Sequence, residues 1–435
     1  MTTELAIHQE HTRTVKTRER LLLLLVGMFL LVNFLGLRLA QPSSTSTDWL
    51  HFIVWLICAS IGTLLLERNL PARDPLLFPI AMFLSGWGLI LIDRLAPPFA
   101  DRQTVWLAVS VTAMLIVATT PHPLRWLRQY RYVLLLGGIL LLLGTIFLGT
   151  NPSGSQTAPQ LWLGFGAIFF QPSEALKIML VAFLASYLAE SPSFFRASLP
   201  AFSTQRKWPS PRIIGPVLLM WGICIIILVW QRDLGTAILF FAVFILLVYV
   251  ATRSNFILFS GFILIILAGF VAYMAFAVVR LRVDVWINPW PEADSRAFQI
   301  VQSLLAFAAG GPFGQGIGQG SPTYIPVVHS DFVFSAIAEE WGLLGVITVI
   351  AAIGTFVVRG LQIALQQQQR AFLVLLATGL SLLIATQSLL IMAGVLKLIP
   401  LTGVTLPYLS YGGSSLLASF VIVGLLLRLS ALENN

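Results

Sequence analysis

Twelve stretches of this chain are apolar and long enough to cross a lipid bilayer, and no other feature limits the possible folds as tightly. They run approximately Leu21 to Ala40, Leu50 to Leu66, Leu76 to Ile92, Gln103 to Thr119, Tyr132 to Leu148 and Glu174 to Ala189. Six more follow: Ile213 to Trp230, Leu234 to Val250, Asn255 to Val279, Ser335 to Val358, Ala371 to Val395 and Ser414 to Leu427. Hydrocarbon offers no water to a backbone, so each crossing must close its own hydrogen bonds as a helix. The expectation is an all-α, polytopic membrane bundle of about 12 transmembrane helices. Residues are 57% hydrophobic and only 10% charged, whereas a soluble domain is about a quarter charged. A water-soluble globular fold is thereby excluded.

Charge then sets the orientation. The net charge is +8, but the basic residues are scattered among loops and form no compact patch with aromatic partners, so nucleic acid is not the expected partner. Twelve spans put both termini on one side. With the N-terminus in the cytoplasm, 17 of the 26 lysines and arginines fall on cytoplasmic segments and 8 on outer ones, Lys177 lying within a span. The positive-inside rule therefore favours cytoplasmic termini. Leu21 to Ala40 is too long for a signal-peptide core and lacks a convincing cleavage site, so it reads as a retained helix. Cys58 and Cys224 both sit inside apolar runs, where neither a disulfide framework nor a metal ligand set is expected.

This orientation places the unusual segments outside: Asn151 to Ser173, the turn at Asp233, Arg280 to Phe334, and Lys397 to Gly413. The stretch 280–334 far exceeds the roughly 12 to 15 residues beyond which structureless loops are uncommon. Phe298, Val301, Leu304, Leu305 and Ala308 recur at helical spacing before Gly310 and Gly311, which predicts a short interfacial or re-entrant helix.

Several residues in or beside these segments are candidates for chemistry. Glu174 and Lys177, three apart, share one helix face, as a structural ion pair or as an anion site with Lys177 meeting a phosphate. Asp233 opens a helix, where N-capping is the plain explanation and a polar contact with Lys177 or Arg232 the sharper one. Asp331, in His329-Ser330-Asp331-Phe332, also stands at a helix start, but an aspartate beside Phe332 and Phe334 could have its pKa raised by desolvation into the range of a general base. Trp162, Trp286 and Trp290 suit either sugar stacking or the interfacial aromatic belt. Arg280 and Arg282 suit either phosphate binding or snorkelling to headgroups. In Ser410-Tyr411-Gly412-Gly413-Ser414-Ser415, two glycines between hydroxyl residues permit close approach of another helix or of a ligand headgroup.

Together these segments resemble the SEDS family (shape, elongation, division and sporulation), which includes RodA, FtsW and SpoVE. The motifs, in the family's order, are Trp162-Leu163-Gly164, Gln171-Pro172-Ser173-Glu174 with Lys177, Asp233-Leu234-Gly235-Thr236, Asn288-Pro289-Trp290, and Gln299 with Gln302-Ser303-Leu304. Gly310-Gly311, Phe313-Gly314, His329-Ser330-Asp331-Phe332, Glu339-Glu340 with Gly342, and the run from Ser410 to Ser415 complete the set. The resemblance covers roughly Asp74 to Arg428. It implies a cytoplasmic tail at 1–20, an additional N-terminal helix pair at 21–73, a catalytic core at 74–428 with its large outer loop at 280–334, and a cytoplasmic tail at 429–435.

The resemblance further implies polymerisation of lipid II into glycan strands at the outer face of the bacterial cytoplasmic membrane. Asp331 would be the catalytic base, and undecaprenyl pyrophosphate the leaving group of an inverting transfer. Glu174, Lys177, Asp233, Arg280, Arg282, Trp290, Gln302, His329, Ser410, Gly412, Gly413 and Ser414 would serve substrate binding. The implied partner is a class B penicillin-binding protein, a transpeptidase, alongside lipid II and membrane lipids. No metal-ligand cluster stands out, although a divalent cation bridging pyrophosphate to a carboxylate is an open alternative. Two positions depart from the family pattern: Leu161 replaces an arginine before the motif tryptophan, and Val327 replaces a glutamate before the aspartate motif. Asn288-Pro289-Trp290, Gln302-Ser303-Leu304 and the run Thr402 to Pro407 lean toward the division members. Competing readings are a lipid II transporter and a non-catalytic scaffold for cell-wall enzymes. The charges gather near the outer helix ends rather than at the midplane, which disfavours transport.

Overall fold

In the computed structural model the described residues are 2–40, 49–151, 160–165, 168–190, 211–231 and 233–432. Arg232 and most of the loop between Asn151 and Leu161 lie outside them. Every span expected from the sequence has a helical counterpart. In chain order the first helices are α1 (Thr2–Ala40), α2 (Trp49–Asn69), α3 (Leu77–Leu95), α4 (Ala100–Thr119), α5 (Pro123–Gln129) and α6 (Arg131–Leu148). Next come α7 (Pro172–Glu190), α8 (Pro211–Trp230), α9 (Leu234–Thr252), α10 (Asn255–Ala275), α11 (Ala277–Ile287) and α12 (Phe298–Gly310). The chain finishes with α13 (Val328–Asp331), α14 (Val333–Gln366), α15 (Ala371–Val395) and α16 (Gly413–Ala431). Eleven of these are long and apolar enough to cross a membrane, and α8, with 20 residues, supplies the remaining expected span.

Three features depart from the sequence reading. The expected N-terminal tail is helical from Thr2 and continuous with the first span. Between α6 and α7 the chain forms a small antiparallel sheet, β1 (Gly149–Thr150), β2 (Trp162–Phe165) and β3 (Ile168–Phe170), with Thr150 opposite Trp162 and Leu163 opposite Phe170. Strands of two to four residues are too short to show an alternating pattern. The ninth span ends at Ala275, four residues earlier than expected, because Phe276 adopts extended backbone; Arg280 and Arg282 then ride on a separate helix, α11.

Contacts divide the chain into two compact units. The first comprises 1–121, 278–359 and 387–435, and the second 122–277 and 360–386. The region expected as a single core at 74–428 is thus shared between them.

In the first unit, α16 runs along α4 and the N-terminal pair packs on α3 and α4. That pair is built in rather than appended. Trp55 Nε1 donates to the Met82 carbonyl at 2.9 Å, and Asn33 Oδ1 accepts from Trp341 Nε1 at 2.8 Å. Arg73 and Glu19, both fully buried, form an ion pair at 2.6 Å. The stretch 280–334 has a core of its own, in which Val285, Ala297, Ile300 and Val301 pack with Leu281, Leu304 and Leu401. The glycine-rich segment after α12 docks into a break in α14 at Gly342, whose φ of 65° is left-handed. Gln315 N and Gly316 N donate there to the carbonyls of Glu339 and Glu340, and a β-carbon at Gly342 would sit 2.2 Å from Gly314 N. Only glycine permits that approach. The motif glycines and Glu339 are therefore scaffolding for the stretch 280–334, with Glu339 Oε1 accepting from Ser321 N at 2.7 Å.

In the second unit, α7 is largely buried and packs on α6 and α9.

Candidate active site

The first unit holds Asp331 at the end of α13, a one-turn helix in the stretch 280–334. Backbone geometry there is unusual. Val327, the residue before the turn, sits at φ 57° and ψ 29°, a left-handed conformation that a β-branched side chain rarely adopts. Its carbonyl accepts from Ser330 N at 3.2 Å and Asp331 N at 3.3 Å, so the strained residue anchors the turn. Such strain costs about 1 to 3 kcal/mol and persists only where surrounding structure enforces it.

The enforcing structure is the turn before α16. Ser410, which is buried, donates its hydroxyl to the Ser330 carbonyl at 2.5 Å and accepts from Leu406 N at 3.0 Å. Tyr411 N donates to the His329 carbonyl at 2.8 Å. The His329 and Tyr411 rings lie edge to face, and both also meet Phe99. Gln103 of α4 holds this turn from the other side, accepting from Gly412 N at 3.3 Å and donating to the Ser410 carbonyl at 3.5 Å. Gly413 lies against Trp106, where a β-carbon would come within 2.2 Å of the indole. Thr405, whose hydroxyl donates to Ser415 Oγ at 2.8 Å, is itself held by Gln387 through its carbonyl.

Asp331 is half-buried, and its two oxygens differ. Oδ1 accepts from the Ser330 hydroxyl at 2.8 Å, while Oδ2 has no hydrogen-bond partner among the described residues. Arg282 Nη1 donates to the Thr402 carbonyl at 3.2 Å. A β-carbon on Gly403 would lie 3.6 Å from Arg282 Nη2 and 4.0 Å from Asp331 Oδ2. The guanidinium therefore faces the carboxylate across a bare glycine without forming an ion pair. Desolvation raises the Asp331 pKa above its ordinary value, opposed by the Ser330 hydrogen bond and the Arg282 charge. Desolvation likewise lowers the pKa of His329, which favours its neutral form.

A second polar cluster lies in the second unit. Lys177 and Glu174 form a buried ion pair at 2.6 Å on α7. Asp233 caps α9, its Oδ1 accepting from Thr236 N at 3.2 Å, while Oδ2 is buried without a partner among the described residues. Desolvation pushes the Asp233 pKa up; Thr236 opposes the rise, Glu174 adds to it and Lys177 opposes it. The capping that the sequence offered is thus present, with Oδ1 as the acceptor.

Of the remaining candidates, Arg280 is exposed on α11, Trp290 is exposed in the turn after it, Gln302 is half-buried on α12, and Ser414 is buried in the first turn of α16. Trp162 is half-buried on β2, and Trp286 Nε1 donates to the Lys397 carbonyl at 3.1 Å. Gln103, Trp106 and Gly403 escaped the sequence reading. Gln103 and Trp106 sit in an apolar run and Gly403 in a loop, and nothing in their spacing points to Asp331. Among the described residues, no group of three or more His, Cys, Asp or Glu side chains is placed to hold a metal ion.

Comparison with known proteins follows from this geometry. The profile of the cell cycle protein family FTSW_RODA_SPOVE matches residues 78–435. The peptidoglycan glycosyltransferase RodA of Mycobacterium tuberculosis (strain ATCC 25618 / H37Rv) is 34% identical over 444 residues, covering 99% of this chain and 94% of its own length. The probable peptidoglycan glycosyltransferase FtsW of Geobacter metallireducens is 34% identical over 337 residues, covering 76% of this chain and 84% of its own. Among solved structures, a chain from a peptidoglycan synthase complex that coordinates polymerisation and crosslinking aligns with a TM-score of 0.68 at 25% identity, covering 82% of this chain and 98% of that one. RodA of Thermus thermophilus aligns with a TM-score of 0.58 at 25% identity, covering 82% and 97%.

Proposed function

Because this chain belongs to the FtsW, RodA and SpoVE family of cell cycle proteins, we propose that it is a peptidoglycan glycosyltransferase that polymerises lipid II, with Asp331 as its general base. The observation that carries the reading is the aspartate's setting: a carboxylate with one oxygen held by Ser330, the other unbonded, on a turn that a separate segment of the chain braces from Ser410 to Gly412. A rigid support with a free oxygen is what proton abstraction requires.

In this mechanism Asp331 Oδ2 accepts the proton of the acceptor sugar's 4-hydroxyl as that oxygen attacks the anomeric carbon of the donor. The bond to lipid pyrophosphate breaks, and the configuration at that carbon inverts. The Ser330 hydrogen bond and the Arg282 charge favour the ionised carboxylate, against the desolvation that raises its pKa. Lys177, ion-paired with Glu174, is itself proposed to bind phosphate. The excess of lysine and arginine on the opposite segments supports a location of Asp331 at the outer face of the cytoplasmic membrane. Arg280, Trp290, Gln302, His329 and Ser414 are proposed substrate contacts. The hydroxyl of Ser410 and the N–H of Gly412 are already engaged within the protein and Gly413 lies against Trp106, so these three are proposed to position the base.

An elongation role is favoured over division, because the alignment with mycobacterial RodA spans 99% of the chain and so includes the N-terminal helix pair that the family profile leaves out. A class B penicillin-binding protein is the proposed partner. Purified chain incubated with lipid II, with and without that partner, tests the function: glycan polymer is expected. Transbilayer movement of lipid II without polymer, or neither outcome, would refute it.

A further inference from the structure

A basic recess lies at one end of the second unit. It is lined by Arg125, Arg128, Gln129, Arg131, Tyr132 and Glu190, and its cavity volume is about 390 Å³. Three guanidinium groups face a single carboxylate. Arg131 is already engaged, with Nη1 and Nη2 both 2.6 Å from Glu190 oxygens and Nη1 donating to Ser186 Oγ at 2.8 Å. That contact holds the Glu190 pair closed and leaves the other two arginines. Arg125 and Arg128 are exposed and form no salt bridge among the described residues, although Arg128 lies 6.0 Å from the centre of the Phe372 ring. The recess therefore carries two uncompensated positive charges. The twenty residues after Glu190 cannot neutralise them, since 191–210 adds Arg196, Arg206 and Lys207 and no Asp or Glu.

Position in the bilayer says what reaches the recess. Arg131 opens α6, a membrane-crossing helix, so the recess sits at the level of lipid headgroups. Tyr132 lines it, and Trp126 and Tyr130, close by in sequence and likewise about half exposed, are the residue types of an interfacial aromatic belt. The charge bias places this end on the cytoplasmic side, where anionic lipids concentrate. We propose that the recess binds the phosphodiester headgroup of an anionic phospholipid, with Arg125 and Arg128 as the phosphate-binding side chains and Arg131 as the group that shapes the site. Guanidinium forks match phosphate oxygens bidentately, and the net charge of the recess matches one or two phosphodiesters. The inference does not depend on the reading of Asp331.

The test uses the full-length protein in zwitterionic detergent, loaded with a phosphatidylglycerol and a phosphatidylcholine of matched acyl chains and read by native mass spectrometry. Wild type is expected to retain phosphatidylglycerol preferentially. Each surface charge is worth about a fivefold change in binding of an anionic lipid, so Arg125→Gln/Arg128→Gln should weaken retention about 25-fold. Arg125→Lys/Arg128→Lys, which keeps the charge, should retain most of the preference and controls for folding. Asp331→Asn should retain the lipid like wild type. Equal retention of phosphatidylglycerol by wild type and the double glutamine variant would overturn the proposal. So would displacement of the lipid by millimolar inorganic phosphate, which would assign the recess to a soluble anion.

Discussion

Replacing Ser410 by alanine separates a residue that positions the base from one that touches substrate. The substitution deletes the hydroxyl that donates to the Ser330 carbonyl at 2.5 Å and accepts from Leu406 N at 3.0 Å. Each bond is worth about 1 kcal/mol net, and a buried group left unpaired costs about 1 to 3 kcal/mol. Ser410 is 4% exposed, so water cannot easily replace the hydroxyl. The expected loss of stability is therefore about 2 to 4 kcal/mol. The kinetic effect follows from what the bond holds. Ser330 precedes Asp331 and donates to its Oδ1, and Val327 is strained, so releasing the turn lets the carboxylate drift. A misplacement of about 1 Å costs on the order of 100-fold in rate. Polymerisation of lipid II by purified Ser410→Ala protein should show kcat reduced about 10- to 100-fold with KM little changed, and thermal unfolding should occur at lower temperature. An unchanged kcat with a raised KM and unaltered unfolding would show that the hydroxyl contacts substrate and would refute the positioning role.

Three further outcomes are expected. A base must be ionised, and burial raises the Asp331 pKa, so the acid limb of kcat/KM should lie above the ordinary aspartate range and move to higher pH in Arg282→Gln, which removes the opposing charge; an acid limb unmoved by that change would separate Arg282 from the base. The same raised pKa means that the native state holds this proton longer than the unfolded chain, so its contribution to stability is lost as pH rises through the interval between the two values. Cysteine placed at Tyr324, which is 70% exposed in the outer stretch, should react with an impermeant thiol reagent on intact cells, whereas labelling only after permeabilisation would reverse the orientation.

How much of this was legible beforehand depends on how locally each feature is encoded. Membrane helices were legible because apolar length is a property of one segment and needs no partner. The helix at Phe298–Gly310 was also legible, since its apolar spacing and terminal glycines are local. The end of the ninth span was not, because Phe276 to Val279 remain apolar and only the backbone turns at Phe276. Asp331 could be singled out by its setting, and the capping role weighed against it has no supporting bond, since its Oδ1 is taken by the Ser330 hydroxyl. Sequence showed that the run from Ser410 to Ser415 permits close approach, but not to what. The answer is Trp106 beside Gly413 and the Ser330 carbonyl 80 residues away from Ser410, contacts that only the folded chain brings together. The N-terminal pair read as an addition for the same reason: the bond from Trp341 to Asn33 links residues 308 apart.

The central claim is that Asp331 removes a proton during glycan polymerisation. The direct measurement is the turnover of lipid II by purified Asp331→Asn protein, with folding checked by thermal unfolding and substrate affinity by binding. The amide keeps the shape of the side chain and can still accept the Ser330 hydrogen bond, so fold and affinity should persist while kcat falls by roughly 10² to 10⁴, the contribution of general-base catalysis. Polymerisation at near wild-type rate by the folded variant would contradict the account.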